Sequence, residues 1–274
     1  MEYLSRIFTK VGEWPGFKFH DKCGQIKLNH LCFANDLLVF CNGDFISIML
    51  LLKGLKLFSS TSGLMPNDQK IAIYCLGMSD FEVNRILEAS NFKRSSLPFR
   101  YLGVPICSRK ISREECQCLL EKMTSRIRCW SSKNLSYMGR VTFINSILLA
   151  IHTYWAQIFI LPKKLLNDIE ATCRSFLWKG TQEGNGPGFV AWEYICRPKS
   201  AGGLGLRNIQ QWNVAALGRY VWDIPSKKDC LFVKWIHMVY LKDQNWWSYT
   251  TPQDCIWEEN SGSKRQISVE NGHG

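Results

Sequence analysis

The sequence predicts an α+β fold in which strands and helices alternate first and helices alone follow. Between residues 1 and 110, apolar runs of strand length alternate with segments of helical periodicity. Between residues 111 and 180, apolar residues recur at the three- and four-residue spacing of amphipathic helices. Because 46% of the residues are hydrophobic and 13% are aromatic, the chain can also bury a core.

The first elements surround a polar pair. We expect a helix from Glu2 to Val11, and strands from Gly24 to Leu31 and from Leu37 to Cys41. The residues between the strands predict a hairpin with Asn35 and Asp36 at its tip. A tight apolar hairpin usually has Asn-Gly or Asp-Gly at its tip. The pair Asn35–Asp36 is therefore a candidate functional site.

The next elements continue the alternation. We expect a helix over 46–58 ended by the Ser/Thr/Gly segment 59–63, a strand over 70–76, a helix over 81–89, and a strand pair over 99–106 around Gly103. Ser112 should then begin a helix with Glu115 in capping-box position. Its apolar face should comprise Leu119, Met123, Ile127 and Trp130, and two more helices should cover 137–151 and 163–178.

These elements divide the chain into four predicted regions. Residues 1–110 form a mixed region, residues 111–180 a helical region, residues 181–257 a tryptophan-rich segment, and residues 258–274 a polar tail. The predicted loop at 180–188 is rich in Gly and Pro. The mixed region should contain a small sheet with helices on one side.

Composition limits where the protein is expected to act. We find no uncharged apolar stretch of membrane-spanning length and no apolar run behind the N-terminus, so we expect neither a membrane span nor a signal peptide. The 12 cysteines are scattered, and several lie in apolar runs. Buried free thiols in a reducing compartment are therefore expected, which indicates an intracellular protein of the cytoplasm or nucleus.

The net charge of +11 is concentrated in one stretch. Residues 93–179 contain fifteen basic and five acidic residues, a net charge of +10, whereas residues 1–92 have a net charge of zero and residues 180–274 of +1. Such an excess beside aromatic residues indicates a surface that neutralises phosphates, although a solvated basic face is the other interpretation. Nucleic acid is the partner that this charge predicts.

The polar hairpin then resembles a known motif. Residues 31–40, Leu-Cys-Phe-Ala-Asn-Asp-Leu-Leu-Val-Phe, look like the Phe-Ala-Asp-Asp box of LINE-type non-LTR retrotransposon reverse transcriptases. In that family the hairpin presents carboxylates to two Mg²⁺ ions that activate the primer 3′-hydroxyl and stabilise the leaving pyrophosphate. The resemblance therefore implies an RNA-directed DNA polymerase, with Asp36 as a metal ligand and Asn35 beside it.

Further motifs follow in the order of that family over roughly residues 1–250. The segments that resemble it are Met1-Glu-Tyr-Leu-Ser-Arg6, Ser62-Gly-Leu-Met-Pro-Asn-Asp-Gln-Lys70, Leu97-Pro-Phe-Arg-Tyr-Leu-Gly-Val-Pro105, Gly139-Arg-Val-Thr-Phe-Ile-Asn145, Phe176-Leu-Trp-Lys-Gly180, Ala191-Trp192, Cys196-Arg-Pro-Lys199 and Gly202-Gly-Leu-Gly-Leu206. The resemblance implies a partial palm over 1–110, a thumb over 111–180 and a connection over 181–257.

The resemblance also implies roles for further residues. Lys70 would assist pyrophosphate departure, and the primer-grip motif would place Tyr101, Leu102 and Gly103 at the primer. The thumb would offer basic residues to a duplex: Arg126, Arg128, Lys133 and Arg140. The alternatives are a surface lysine for Lys70, a core tyrosine in a tight turn for Tyr101, and a solvated helix face for the basic residues.

Two departures from the family predict an inactive chain. Asn35 replaces the first aspartate of the pair, and Mg²⁺ strongly prefers charged oxygen ligands. The family's other metal-binding aspartate and its fingers would precede the first residue of this sequence, so we expect a missing upstream half. Magnesium is thus the parent family's cofactor, and none should bind productively here.

Two functions from different classes remain open, with a structural remnant as a third. One is a degenerate reverse-transcriptase fragment. The other is a non-catalytic module that binds an RNA template, a DNA duplex or a hybrid through the basic helices without sequence preference. Zinc is disfavoured because His237, Cys230 and Cys255 fit no zinc spacing. The tryptophans at 212, 222, 235, 246 and 247 are expected to pack rather than to stack on bases.

Overall fold

The computed structural model describes residues 1–67, 71–75, 77–107, 109–131, 135–181, 190–242 and 244–249. In chain order its elements are α1 (Glu2–Gly12), β1 (His30–Phe33), β2 (Asp36–Val39), α2 (Phe45–Ser62), β3 (Ala72–Tyr74), α3 (Asp80–Ser90), β4 (Lys93–Ser95), β5 (Phe99–Tyr101), β6 (Val104–Ile106), α4 (Gln117–Ser131), α5 (Tyr137–Phe143), α6 (Leu149–Ala156), α7 (Lys163–Lys179), α8 (Trp192–Ile195), α9 (Ile209–Asp223) and α10 (Leu231–Ile236). The predicted α+β class is confirmed.

The described residues fall into two compact units. The first unit comprises Met1–Ile106 and Lys227–Tyr249, and the second comprises Cys107–Ser226. The chain thus leaves the first unit after β6 and returns to it with α10. Naming these units palm, thumb and connection remains an expectation.

The strands of the first unit do not form one sheet, which corrects the predicted small sheet. They form three two-stranded ladders: β1–β2 and β5–β6 are antiparallel hairpins, and β3–β4 is a parallel pair. Helix α3 connects the parallel pair, as a crossover must. Because each strand has only three or four residues, each ladder ends after a few pairs.

The strand predicted from Gly24 to Leu31 is also wrong over most of its length. Residues 21–27 form turns, held by hydrogen bonds such as Lys27 N to Gly24 O at 3.1 Å, and β1 begins only at His30. Lys27 has a left-handed φ of +49°, which a strand does not accommodate. The Trp235 indole, beyond the second unit in sequence, donates to the Lys22 carbonyl at 2.9 Å and holds this turn.

Helix α2 extends four residues past its predicted end at Phe58. The hydroxyl groups of its last turn donate to carbonyls three or four residues back, for example Ser62 Oγ to Phe58 O at 2.7 Å. Ser and Thr are therefore satisfied inside the helix rather than ending it. Gly63 ends it in the left-handed conformation, with φ +71°.

The length and composition of α2 bear on the expectation of no membrane span. Its 18 residues have a mean hydropathy of 1.3, so by length and composition alone the helix is long and apolar enough to cross a membrane. A core helix of a soluble protein passes the same test, so this property is weak support for a span. Leu51 and Phe58 of α2 are buried in a cluster with α1.

The regular elements in the described part of the second unit are all helices, as predicted for 111–180. A π-helical turn over Ile144–Leu148 joins α5 to α6. The predicted apolar face of α4 is confirmed at Leu119, Met123 and Ile127, which are fully buried, whereas Trp130 is only half-buried. The capping box forms, with Ser112 N donating to Glu115 Oε2 at 2.6 Å, but turns follow it and α4 begins only at Gln117.

Candidate functional site

The β1–β2 hairpin places the polar pair at its tip, as predicted. Phe33 pairs with Asp36, so the loop consists of Ala34 and Asn35. Ala34 has a φ of +48°, the left-handed backbone that two-residue hairpin loops use. The side chains of Asn35 and Asp36 are exposed, and Asp36 is the first residue of β2.

The apolar side of the hairpin packs against the helical core of the first unit. Leu37 and Val39 of β2 contact the buried cluster formed by α1 and α2. Gly54 lets those helices approach closely, because a Cβ there would lie 3.1 Å from Val11 Cγ2 and 3.3 Å from Ile7 Cγ2. The tip is therefore exposed while the base of the hairpin is fixed.

A buried polar network fixes the start of β1. The buried Asn29 side chain donates from Nδ2 to the Phe8 carbonyl of α1 at 2.7 Å. Its Oδ1 then accepts from His30 Nδ1 at 2.7 Å, which leaves His30 Nε2 to accept from the Ser5 hydroxyl at 2.6 Å. Burial lowers the pKa of His30, which favours this neutral form. Sequence reasoning missed Asn29 and His30, since nothing marks them as a network before α1 is placed.

The second hairpin brings the primer-grip motif to the same unit. Leu102 and Gly103 form its loop, both with positive φ, +51° and +82°. Tyr101 is half-buried, and its pKa is raised first by burial and then by the negative charge of Asp36 and by Cys32. Tyr101 and Asp36 thus belong to the same compact unit, whereas the roles of Tyr101, Leu102 and Gly103 at a primer stay predictions.

The donor set at the hairpin tip does not fit two Mg²⁺ ions. Asp36 offers one carboxylate, and Asn35 offers only a neutral amide oxygen. Within the described ranges no group of three or more His, Cys, Asp or Glu residues is placed to hold a metal ion. Asp44, the next described carboxylate along the chain, caps α2, since its Oδ2 accepts from Ser47 N. Lys70 lies outside the described residues.

In the second unit, Arg140 connects two of the thumb-like motifs. Its Nη1 donates to the carbonyls of Leu177 and Trp178 at 3.2 and 3.3 Å, and its Nε donates to Leu135 O at 3.2 Å. The guanidinium also lies against Gly180, where a Cβ would approach it to 3.1 Å. Arg140 therefore caps the carboxyl end of α7, and its role at nucleic acid stays a prediction.

Helix α4 contains basic residues that remain candidates for binding nucleic acid. Arg126 and Arg128 are both exposed, and so is Lys122, one turn before Arg126. Lys122 and Arg126 share a helix face because they are four residues apart. Lys133 lies outside the described residues.

Part of the positive charge is used inside the fold. Arg113 donates to Asp168 Oδ2 from Nη2 at 2.6 Å, and Arg174 pairs with Glu170. In the first unit Arg94 pairs with Asp80 at 2.8 Å. The first two pairs are half-buried and the third is exposed, and all three reduce the charge that the basic stretch presents to a partner.

The described cysteines are all free thiols. Cys116 is buried, and burial raises its pKa to about 12, so this thiol stays protonated. Cys230 is exposed, and Cys255, its possible zinc companion by sequence, lies outside the described residues. The expected burial of the thiols is found only at Cys116, Cys118 and Cys173, and the other described cysteines are half-buried or exposed.

Sequence reasoning also missed two buried polar residues of the second unit. Asn213 of α9 accepts from Leu161 N and donates to Phe159 O, both at 2.8 Å, and so fixes the chain between α6 and α7. His152 of α6 is fully buried. Its ring nitrogens have no hydrogen-bond partner within the part of the chain that the structure describes, and burial lowers its pKa to about 4.

Comparison with known proteins gives a limited match. No family model matches the sequence. A curated protein of Arabidopsis thaliana named "Putative ribonuclease H protein" is 29% identical over 147 residues, which is 52% of this chain and 24% of the relative. The matched part therefore spans about a quarter of that relative's length, and the similarity concerns a segment rather than a whole protein.

Proposed function

We propose that this chain is a remnant of the reverse transcriptase of a LINE-type non-LTR retrotransposon and does not polymerise DNA as it stands. The observation that carries the proposal is the exposed pair Asn35–Asp36 at the tip of the β1–β2 hairpin, in the same compact unit as the Tyr101–Gly103 hairpin. The order of the two motifs along the chain supports the proposal, since a catalytic box followed by a primer grip is what the resemblance implies.

The similarity to a protein named for ribonuclease H supports a retroelement-related origin. A ribonuclease H cleaves RNA in RNA–DNA hybrids, and such hybrids are the product of reverse transcription. The activity in the relative's name and the motifs of this chain therefore both concern the processing of RNA–DNA hybrids. A nucleic acid is accordingly the proposed partner, and the many free thiols suit the cytoplasm or nucleus.

Inactivity follows from the donor set at the hairpin. Two-metal catalysis needs several charged oxygens to hold the ions in line with the attacking and leaving groups. Asp36 supplies one such group, and Asn35 supplies none because its amide is neutral. We propose that magnesium is not held productively by this chain.

A primer-extension assay tests this proposal on the full chain. The protein should bind an oligo(dT)–poly(rA) hybrid with a non-specific Kd of about 10⁻⁴–10⁻⁶ M at physiological salt. It should not extend the primer with Mg²⁺ or Mn²⁺, and Asn35→Asp should not restore extension, because one carboxylate more does not complete the set. Extension above a no-protein control that Asp36→Ala abolishes would refute inactivity, and absent hybrid binding would refute the retroelement proposal.

A non-catalytic binding module is the second candidate. The exposed Lys122 and Arg126 of α4, within a stretch of +10 net charge, favour it. Such a module would bind duplex or hybrid through phosphates and would not distinguish sequences. A module should lose most of its hybrid binding after Lys122→Gln/Arg126→Gln and keep it after Asp36→Ala, because its binding depends on phosphate contacts of α4 and not on the hairpin.

A further inference from the structure

The segment between α8 and α9 is folded tightly on itself. Three backbone hydrogen bonds of 2.9, 3.1 and 2.9 Å join Leu204 N to Ile195 O, Gly203 N to Pro198 O, and Gly205 N to Arg197 O. A Cβ on Gly203 would lie only 2.1 Å from the Arg197 carbonyl oxygen, so only glycine fits there. These contacts fix the backbone of Arg197.

This segment and the start of α9 line a cavity of about 550 Å³. That volume is within the range of pockets that bind small molecules, about 300–1,000 Å³. We call it the arginine pocket, and its polar and aromatic lining consists of Glu193, Arg197, Arg207, Asn208, Gln211 and Trp212. All of these belong to the second unit.

The pocket combines positive charge with the planar faces of aromatic rings and guanidinium groups. The Arg207 guanidinium lies over the Trp212 ring, 4.7 Å from its centroid, and the Arg197 guanidinium lies over the Tyr194 ring at 3.9 Å. Both arginines are exposed, so their outer faces can receive a ligand. Glu193 is the single carboxylate among the lining residues, which leaves the pocket with a positive formal charge.

Two further contacts orient the lining. The half-buried Trp212 indole donates from Nε1 to Thr153 Oγ1 of α6 at 2.9 Å, which fixes the ring plane. Asn208 caps α9, with its Oδ1 accepting from Gln211 N at 3.0 Å. The positive end of this 15-residue helix therefore lies at the pocket and adds to the field of the two arginines.

The thiol of Cys196 also lines the pocket, and its protonation state indicates a binding site rather than a catalytic one. Burial, followed by the charges of Glu170 and Glu193, raises the pKa of Cys196 to about 11. Its thiol therefore stays protonated near neutral pH and is not a ready nucleophile.

We propose that the arginine pocket binds one nucleotide of a single-stranded nucleic acid. The phosphate would lie between Arg197 and Arg207, whose planar guanidinium groups bind phosphate oxygens in pairs. The base would stack on the outer face of the Arg207 guanidinium, which itself lies over Trp212, since bases stack on guanidinium planes as well as on aromatic rings. Trp212 would then support a stacked base, which departs from the expectation that this tryptophan only packs. This inference rests on the proposed nucleic-acid function but adds a single-strand site separate from the basic face of α4.

Fluorescence anisotropy with labelled ten-residue oligothymidylate, and with a duplex of the same length, tests the proposal on the full chain. Arg197→Gln/Arg207→Gln should weaken single-strand binding about tenfold and duplex binding much less. Lys53→Gln/Lys56→Gln removes the same charge from exposed positions of α2 and serves as the matched control. Photocrosslinking of 4-thiothymidine oligonucleotides should label the peptide that contains Trp212, which reports on the site without a variant.

Each outcome decides the proposal. Equal single-strand affinity of the arginine variant and the control would overturn it while leaving the nucleic-acid function intact. Equal competition by polyglutamate of the same charge would instead assign the pocket to acidic peptides and also overturn it. A wild-type chain that binds neither oligonucleotide would refute the proposed function itself.

Discussion

Arg140 Nη1 lies 3.2 Å from the carbonyl oxygen of Leu177 and donates a hydrogen bond to it. The last carbonyls of a helix have no partner within the helix, so a cation placed there satisfies them and interacts favourably with the helix dipole. The Gly139-Arg140 segment and the carboxyl end of α7 are therefore bound to each other. This relationship gives the arginine a structural role that can be separated from nucleic-acid binding.

Arg140→Gln should destabilise the second unit by about 2 kcal/mol, because up to three carbonyls lose a charged donor. Urea unfolding followed by circular dichroism measures the change, and Arg126→Gln on the exposed face of α4 is the control. Unchanged stability, together with weaker hybrid binding, would instead place Arg140 at the nucleic acid.

Lys122 and Arg126 should show the opposite behaviour to Arg140, with an effect on nucleic-acid binding and not on stability. Lys122→Gln/Arg126→Gln should leave the urea midpoint nearly unchanged and lower the dependence of log K on log salt for duplex by about 0.9 for each phosphate that is no longer neutralised. Salt titrations between 50 and 200 mM are suited to this, because a protein that neutralises many phosphates changes its affinity by ~10³-fold over that range. An unchanged slope would leave the basic face of α4 as a solvated surface.

His152 predicts a specific loss of stability in acid. Burial lowers its pKa from 6.5 to about 4 in the folded chain, so the unfolded chain takes up a proton first as the pH falls. Stability is therefore complete above pH 6.5 and decreases towards pH 4, by about 3 kcal/mol in total.

His152→Leu should remove this dependence and should not destabilise the chain at pH 7, since a buried ring without hydrogen bonds contributes little there. Melting temperatures measured from pH 7 to pH 4 compare wild type, His152→Leu and the exposed control His20→Gln. Parallel curves for wild type and His152→Leu would contradict the expectation.

Gly203→Ala should destabilise the segment between α8 and α9 by about 3 kcal/mol, because its Cβ meets a backbone carbonyl rather than a movable side chain. Gly24→Ala is the matched control, since its Cβ would have nothing nearer than 3.9 Å. The rate of amide hydrogen exchange over residues 195–206 measures the local loss of stability. Equal protection in both variants would show that the segment relaxes easily.

Sequence reasoning predicted those features that depend on short-range pattern. The Tyr101–Gly103 turn, the buried face of α4 and the hairpin tip at Asn35 all follow from local periodicity and turn chemistry. The roles of Asn213 and Arg140 in the fold could not be predicted, because their partners are backbone groups 52 and 37 residues away. The turns that end at Lys27 were also missed, since the strand predicted from Gly24 to Leu31 covered part of them, while Trp235 supplies a hydrogen bond from 213 residues away.

That hydrogen bond has a consequence for biosynthesis. Trp235 of α10 donates to the carbonyl of Lys22, which precedes it by 213 residues in the sequence. During synthesis the first unit therefore lacks α10 until the ribosome has passed the whole second unit. At roughly 5–20 residues per second, a ribosome needs about ten seconds or more to add the intervening residues. The second unit can therefore fold while the first still waits for its last helix, and the first unit is exposed to misfolding and chaperone binding for longer.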